Sequence, residues 1–141
     1  QWLIKGLNQV KLNKLDEDSF LYFGKIQKLN DYKITNLDSF YRKKIEETIP
    51  PLVEKYSKLM KLYPTSIKYR KNKRTWGSCN YKNGLNFNTQ LCKFPIEIAE
   101  YVVVHELAHI KYKNHSKKFW DLVEDYCPDY KKRETLFKTL L

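Results

Sequence analysis

One stretch of this chain, from Tyr101 to Ile110, is apolar on nearly every side of a helix except at His105, Glu106 and His109. A helix that is hydrophobic all round is buried in the interior of a protein. The pattern therefore predicts a central buried helix that runs from Ile96 to about Lys111. Two histidines and a glutamate inside such a helix need partners, because unsatisfied polar groups in an interior cost several kcal/mol.

The polar residues of this helix follow the spacing of a metal site. All three histidines of the chain fall between positions 105 and 115, in the pattern H-E-x-x-H followed six residues later by His115. Helical spacing places His105 and His109 on one face, so both imidazoles can reach one ion. Glu106 lies about 100° around the axis, where it can contact a metal-bound water and act as general base. These ligands indicate one zinc ion with an open fourth position.

The third ligand can be assigned in two ways. His115 directly precedes Ser116, a plausible helix N-cap, and so falls in the loop after the buried helix. Glu124, on the next expected helix, is the alternative ligand. His115 is favoured because the chain has no further histidine and because a loop position suits a ligand. A helix that carries two ordinary histidines, without a metal, is the remaining interpretation.

Length and composition fit a single domain over residues 1–141. Hydrophobic residues make up 42% of the chain, which is enough for one core. No run of about eighteen apolar residues exists, so we expect no membrane span. Three scattered cysteines without a C-x-x-C pair favour reduced thiols and a cytoplasmic location. The N-terminus lacks both a start methionine and a signal-peptide pattern, so we expect the C-terminal part of a longer protein.

The net charge of +11 raises the possibility of nucleic-acid binding. The excess is even along the chain, with 14 basic and 8 acidic residues in 1–70 and 13 and 8 in 71–141. It comes from 23 lysines and only four arginines, whereas bidentate phosphate recognition prefers arginine. A generally basic surface is therefore favoured, with weak nucleic-acid binding as the alternative.

Residues 1–65 are expected to hold an N-terminal hairpin and a long helix, with the end of another helix in residues 1–10. Ser19–Phe23 and Lys25–Leu29, split by Gly24, predict the hairpin. A helical pattern then runs from about Asp38 to Leu62, with Asp38 or Ser39 as the N-cap. The Pro50-Pro51 pair is expected to kink or divide this helix.

Residues 66–141 are expected to form the catalytic core. Ser66–Arg70 alternates like a strand, and Trp76–Asn80 and Leu85–Asn88 flank an Asn-Gly turn, a strong hairpin signal. Ser116 can cap a helix that ends at Pro128, and an amphipathic helix follows to the end of the chain. Together these segments predict an α+β fold.

Several short motifs occur in order between about residues 66 and 130. They are Trp76-Gly77-Ser78-Cys79, Gly84-Leu85-x-Phe87-Asn88-x-x-Leu91, Pro95, the segment Tyr101 to His109, Asn114-His115 and Phe119-Trp120. In this order they resemble the YgjP-like metallopeptidase family. This is a group of small zincin-type proteins, often named metal-dependent hydrolases and related to the SprT-like and WLM proteases.

The resemblance implies a zincin-like fold, with a small antiparallel sheet packed on the H-E-x-x-H helix and further C-terminal helices. Leu85–Asn88 would be the edge strand that borders the cleft, where an extended peptide can bind through its backbone. The family correspondence assigns zinc to His105, His109 and His115, and the role of general base to Glu106.

Two positions depart from related patterns. Thr75 stands where members of the family commonly have arginine before the tryptophan, and Tyr112 stands where metzincins have glycine. The transition state needs an electrophile besides zinc, and Tyr112, Tyr126 and Arg133 are candidates. Trp76, Phe119 and Trp120 are expected to be core aromatics.

The sequence leaves four functions open. The leading hypothesis is a zinc metallopeptidase that acts on a peptide or protein. The second is a metal-dependent nucleotide pyrophosphatase, since some members of the family carry that annotation. Lysine-rich segments at Lys68–Arg74, Lys111–Lys118 and Lys131–Arg133 would then attract the phosphates of a nucleoside triphosphate. The others are a DNA-associated protease like the SprT-like relatives, with salt-dependent binding, and a non-catalytic module stabilised by metal.

Overall fold

Two small sheets and five α-helices make up residues 17–141, the part of the chain that the structure, a computed structural model, describes. In chain order the elements are β1 (Ser19–Tyr22), β2 (Lys25–Lys28), α1 (Leu29–Tyr32), α2 (Leu37–Met60), β3 (Ser66–Arg70), β4 (Gly77–Cys79), β5 (Gly84–Asn88), a 3-10 helix (Thr89–Lys93), α3 (Ile96–Lys111), α4 (Lys117–Tyr126) and α5 (Tyr130–Leu140). The α+β class is confirmed. The helix end expected in residues 1–10 lies outside the described residues.

The predicted N-terminal hairpin is confirmed and packs next to the start of α3. β1 and β2 pair antiparallel, with Ser19 opposite Lys28. Gly24 in the turn has a φ of 82°, which favours glycine. A β-carbon there would also lie 2.9 Å from Cγ of Pro95. The Gly24 amide donates to the carbonyl of Lys93 at 3.0 Å, so the turn is bonded to the segment that leads into α3.

The helix α2 is continuous through Pro50 and Pro51, so the expectation that the prolines divide it is wrong. The N-cap is Asn36, whose side chain accepts from the Ser39 amide, rather than Asp38 or Ser39. Both prolines lie on the exposed side. The opposite side is buried along the whole helix, at Tyr41, Ile45, Ile49, Val53, Tyr56 and Met60. Packing of this stripe outweighs the backbone hydrogen bonds that the prolines cannot make.

The three-stranded sheet is mixed and has the order β3-β5-β4. β4 and β5 pair antiparallel across the predicted Asn-Gly turn, with Gly77 opposite Phe87. β3 runs parallel to β5, with Ile67 opposite Leu85. The expectations of a purely antiparallel sheet, and of an edge strand at Leu85–Asn88, are therefore wrong. The turn makes β4 one neighbour of β5. The other neighbour, β3, pairs with β5 from a more distant part of the sequence, so the turn does not predict it.

The prediction of a central buried helix is confirmed by α3. Ten of its residues are buried: Ile98, Ala99, Tyr101, Val102, Val103, Val104, Glu106, Leu107, Ala108 and His109. It packs between α2, β4 and the two C-terminal helices. Ser116 caps α4 as expected, since its Oγ accepts from the Phe119 amide at 3.3 Å. None of the helices within residues 17–141 is long and apolar enough to cross a membrane.

Candidate metal centre and active site

The three predicted histidines meet at one point. Nε2 of His115 lies 3.2 Å from Nε2 of His105 and 3.2 Å from Nε2 of His109. The ligand atoms of all three residues lie within 4.8 Å of one another. Glu124, the alternative third ligand, is exposed and lies outside this group.

These distances fit a shared cation better than hydrogen bonds. A tetrahedral zinc ion with Zn–N bonds of about 2.0–2.1 Å holds two ligand nitrogens about 3.3 Å apart. An imidazole nitrogen has either one proton or one lone pair, so Nε2 of His115 cannot bond well to two other nitrogens at once. The three side chains therefore have the chemistry and spacing of a zinc site.

Two aromatic residues of α4 hold the imidazole rings in place. Phe119 stacks on His109, with ring centroids 4.4 Å apart and planes inclined by 26°. Trp120 stacks on His115 at 5.7 Å and 23°. Phe119 is fully buried, as expected of a core aromatic, and Trp120 is half-buried. The helix that Ser116 caps thus brings the loop histidine onto α3.

Hydrogen bonds on the far side of the rings set their tautomers. Nδ1 of His109 lies 2.9 Å from the Tyr112 carbonyl, which can only accept, so Nδ1 carries the proton. The Nε2 lone pair is then free for a metal. Nδ1 of His105 makes a longer contact of 3.5 Å with the Tyr101 hydroxyl, which donates to Glu134 at 3.0 Å.

The sequence did not point to Tyr101 and Glu134 as parts of the site. Tyr101 lies four residues before His105 on the same face of α3, and this spacing was an available signal. Glu134 lies on α5, 29 positions after His105, and no local pattern connects the two.

Burial favours the neutral form of His105 and His109. Desolvation, with the other two histidines as lesser causes, lowers the pKa of His105 to about 3. Desolvation also lowers the pKa of His109, against a smaller opposing effect of the Tyr112 carbonyl. Neutral imidazole is the form that binds metal, so the site needs no proton release from these rings near neutral pH.

Glu106 is buried between α3 and the strand β4. Only 5% of its surface is exposed, and burial raises the pKa of its carboxyl to about 8. A β-carbon at Gly77 would lie 2.9 Å from Oε2 of Glu106 and 2.9 Å from Cγ1 of Val102. The absence of a side chain at Gly77 therefore lets β4 approach the carboxylate closely.

A cavity of about 330 Å³ opens beside Glu106 and His105. Its other lining residues come from the start of β4 and the two residues before it, from α3 and from the C-terminal end of the chain: Thr75, Trp76, Gly77, Tyr101, Val102, Glu134, Phe137, Lys138 and Leu141. The site thus consists of a histidine cluster, a buried carboxylate and an adjoining space large enough for a side chain.

Among the candidate electrophiles, Arg133 is engaged elsewhere. Its Nη1 donates to the carbonyl of Glu97 at 3.0 Å and lies 3.5 Å from Oε1 of Glu100. These contacts hold it at the first turns of α3, about two turns before His105. Tyr112 contributes its carbonyl to the site, through His109.

The fold is similar to those of known metallopeptidases. The crystal structure of the metallopeptidase zymogen of Pyrococcus abyssi abylysin matches with 24% identity and a TM-score of 0.60, over 66% of this chain and 94% of that chain. That of Methanocaldococcus jannaschii jannalysin, also a metallopeptidase zymogen, matches with 23% identity and a TM-score of 0.55, over 66% and 97%. No protein with a curated description matches. These likenesses confirm the expected zincin-like fold.

The sequence profile described as YgjP-like, metallopeptidase domain, matches residues 5–140. This match spans nearly the whole chain and agrees with the resemblance seen in the motifs. The protein is therefore a metal-dependent hydrolase, and the metallopeptidase family implies a peptide or protein as its substrate. The chain belongs to the YgjP-like metallopeptidase domain family.

Proposed function

We propose that the protein is a zinc metallopeptidase in which His105, His109 and His115 bind one zinc ion and Glu106 is the general base. The main support is the convergence of three Nε2 atoms, with two separations of 3.2 Å. Three protein ligands leave a fourth tetrahedral position open, which is typical of catalytic rather than structural zinc sites.

The chemistry divides between the ion and the carboxylate. When bound, zinc supplies a Lewis acid and lowers the pKa of a water molecule to about 7. Glu106 accepts a proton from the water that attacks the peptide carbonyl, and then delivers that proton to the nitrogen of the leaving amine. Burial raises the pKa of its carboxyl to about 8 in the absence of a metal, which suits proton delivery. The positive charge of a bound zinc ion would favour the ionised form, which accepts the proton.

The edge of β4 is the best place for the substrate backbone. β4 pairs with β5 on one side and has no strand partner on its other side among residues 17–141. It also lies against Glu106 through Gly77. An extended peptide that pairs with this edge would bring its carbonyl to the carboxylate. β4 thus takes the role that the sequence had given to Leu85–Asn88.

The lining of the cavity favours a peptide over a nucleoside triphosphate. Its walls are largely apolar, and the charged groups on them are Glu134 and Lys138 beside the carboxylate of Glu106. Lys138 lies 3.5 Å from Oε1 of Glu134, so this carboxylate offsets its positive charge. The carboxylate of Glu134 would repel the phosphates of a nucleotide.

The test combines metal analysis with a hydrolysis screen of casein-like peptides and nucleoside triphosphates. Glu106→Gln should keep one zinc per chain and lose about 10²–10⁴-fold in turnover. Glu124→Gln, the matched control on an exposed carboxylate, should keep both zinc and activity. His115→Ala should lose zinc.

Other results would contradict these expectations. Unchanged turnover in Glu106→Gln would show that Glu106 is not the general base. If Glu124→Gln lost zinc and His115→Ala retained it, the third ligand would be Glu124 on the helix α4. Hydrolysis of triphosphates but not of peptides would favour the pyrophosphatase, and peptide cleavage that requires added DNA would favour the DNA-associated protease.

A further inference from the structure

The segment from Lys55 to Ile96 contains ten basic residues and no acidic one. The other residues of the chain include 17 basic and 16 acidic ones, so nearly all of the net charge of +11 comes from this segment. Residues 1–70 and 71–141 have similar charges only because the boundary between them falls inside it. The positive charge is therefore concentrated in the part of the chain that forms the three-stranded sheet.

The side of this sheet that faces away from the core is polar. Successive side chains of a strand point to opposite sides. Lys68, Asn86 and Ser78 are neighbours in one row across β3, β5 and β4, and Arg70 follows two positions after Lys68. Lys68, Arg70 and Ser78 are exposed, whereas the residues directly before and after Asn86 are fully buried. We call the side defined by these four residues the outer face.

The loop between β3 and β4 adds Lys73 and Arg74, both exposed, at one end of the outer face. This loop is attached to the end of β5 by Asn88, which is only 2% exposed. Nδ2 of Asn88 donates to the carbonyl of Asn72 at 2.6 Å and to that of Thr75 at 2.9 Å. Because the loop is already held in place, a ligand that binds its cations has less ordering to do.

Most of these cations have no acidic partner. Lys71 is paired with Asp38, with Nζ and Oδ2 3.1 Å apart. Lys68, Arg70 and Arg74 form no ion pair with any carboxylate in residues 17–141. A group of unpaired positive charges on one surface attracts polyanions, and salt weakens that attraction.

A small polar hollow of about 50 Å³ lies between the outer face and the loop. Polar side chains from both contribute to its lining, among them Arg70, Asn72, Ser78 and Asn86. One water molecule needs roughly 10–15 Å³, so the hollow has room for a larger group such as a phosphate. Guanidinium, hydroxyl and amide groups are the side-chain donors that contact nucleic-acid phosphates.

An exposed tyrosine lies at the other end of the sheet. Tyr81, in the turn between β4 and β5, is 82% exposed, and Nζ of Lys82 lies 5.7 Å from its ring centroid. Because Gly84 pairs with Ser66, this turn lies at the end opposite Arg70. Exposed aromatic rings beside cations stack with the bases of single strands. A polyanion without bases would have no use for this ring.

We propose that the outer face and its loop bind the phosphate backbone of a single-stranded nucleic acid, with one base stacked on Tyr81. The inference does not rest on the proposed peptidase function, because Lys68, Arg70, Arg74 and Tyr81 lie outside the cavity beside Glu106. β3 and β4 are the opposite edges of the sheet. A peptide that pairs with the β4 edge and a strand on the outer face would therefore use different groups.

The experiment measures the affinity of the full chain for a labelled oligothymidylate of about 16 nucleotides, by fluorescence anisotropy at several salt concentrations. The variant Lys68→Gln/Arg70→Gln/Arg74→Gln should bind about tenfold or more weakly at about 50 mM salt. Its slope of log K against log salt concentration should also be smaller in magnitude by about 2, because three phosphate contacts are lost.

The matched control removes three positive charges elsewhere. Lys43→Gln/Lys131→Gln/Lys132→Gln changes exposed residues of α2 and α5. It has the same net charge as the first variant and should retain the wild-type affinity and salt slope. Thermal unfolding of both variants checks that the fold is intact.

Tyr81 is tested by a second pair of variants. Tyr81→Ala should weaken binding about fivefold or more, since it removes a stacking surface. Tyr81→Phe keeps the ring and should bind like the wild type. The same comparison with a duplex of equal length should show weaker binding than the single strand.

Four outcomes would overturn the inference. No binding of the single strand at about 50 mM salt would remove it and leave the peptidase function standing. Equal losses in the two triple variants would show that net charge alone causes binding. Tighter binding to duplex, with no effect of Tyr81→Ala, would contradict the preference for single strands. Tighter binding to vesicles of equal parts phosphatidylserine and phosphatidylcholine, lost in the first triple variant, would make the outer face a membrane surface.

Discussion

Gly77 and Glu106 face each other across the contact between β4 and α3, so closely that a β-carbon at Gly77 would lie 2.9 Å from Oε2 of the glutamate. The same β-carbon would lie 2.9 Å from Cγ1 of Val102. The strand β4 and the carboxylate proposed as the general base are therefore positioned by the same contact.

Gly77→Ala should displace either the Glu106 side chain or β4. Because the carboxylate is the flexible partner, we expect a loss in kcat of roughly tenfold or more with zinc binding retained. The overcrowding should also lower the free energy of unfolding by about 1–3 kcal/mol. Steady-state kinetics, zinc analysis and denaturant unfolding measure the three quantities.

Gly84→Ala is the matched control for crowding. A β-carbon there would lie 2.7 Å from Oγ of Ser66 and 2.9 Å from Nδ2 of Asn80, at the opposite end of the β4–β5 pair from Gly77. It should lower stability but leave kcat nearly unchanged. Equal losses of kcat in both variants would show that Gly77 acts through general stability.

Tyr101→Phe should weaken zinc binding. The Tyr101 hydroxyl lies between Nδ1 of His105 and the carboxylate of Glu134, at 3.5 and 3.0 Å. Removal of such an outer partner of a metal-binding histidine typically lowers metal affinity 10–100-fold. The contact to His105 is long, so we expect a loss of about tenfold, measured by competition with a chelator.

Tyr112→Phe is the control for this effect. Tyr112 supports His109 through its backbone carbonyl, at 2.9 Å from Nδ1. Loss of its hydroxyl should therefore leave zinc affinity unchanged. Equal affinities in Tyr101→Phe and wild type would show that the Tyr101 hydroxyl does not support the site.

Burial of Glu106 predicts a pH-dependent stability of the metal-free protein. Burial raises its pKa from 4.5 to about 8. Below pH 4.5 both the folded and the unfolded chain keep the proton, and the group has no effect. Between pH 4.5 and about 8 the unfolded chain releases the proton and the folded chain keeps it, so stability falls as pH rises over this range and levels off above it.

In Glu106→Gln we do not expect this pH-dependent loss of stability, because the amide does not ionise. With a chelator present, the free energy of unfolding of wild type relative to Glu106→Gln should fall by a few kcal/mol between about pH 4.5 and pH 8.5. Denaturant titrations across this range measure the difference. A difference that stays constant with pH would mean that the carboxyl is not desolvated in the folded state.

The two prolines inside α2 should reduce stability. Pro50 and Pro51 lie on the exposed side of a continuous helix, where each lacks a backbone donor. Pro50→Ala or Pro51→Ala should raise the free energy of unfolding by about 1–2 kcal/mol, after allowance for the greater entropy of the unfolded chain. Pro95→Ala, outside a helix interior and packed against Gly24, should not stabilise. A loss of stability in both α2 variants would contradict this account.

Local patterns were reliable for single elements of this fold. The apolar residues around His105 and His109 in the sequence predicted α3, and Ser116 as an N-cap predicted α4. The Asn-Gly turn predicted the pairing of β4 with β5. The error at Pro50-Pro51 arose because the rule for a proline in a helix describes the backbone alone, whereas the buried stripe of α2 supplies packing that continues past it.

The sequence by itself determined the chemistry of the site, because His105, Glu106 and His109 are joined by a helical repeat that fixes their relative positions wherever the helix lies. The tertiary structure decided which surfaces meet that site. In the tertiary structure β5 lies in the centre of the three-stranded sheet, Gly77 packs against Glu106, and Glu134 accepts a hydrogen bond from Tyr101. These contacts join residues far apart in the chain, and they depend on how helices and strands pack, which no local periodicity encodes.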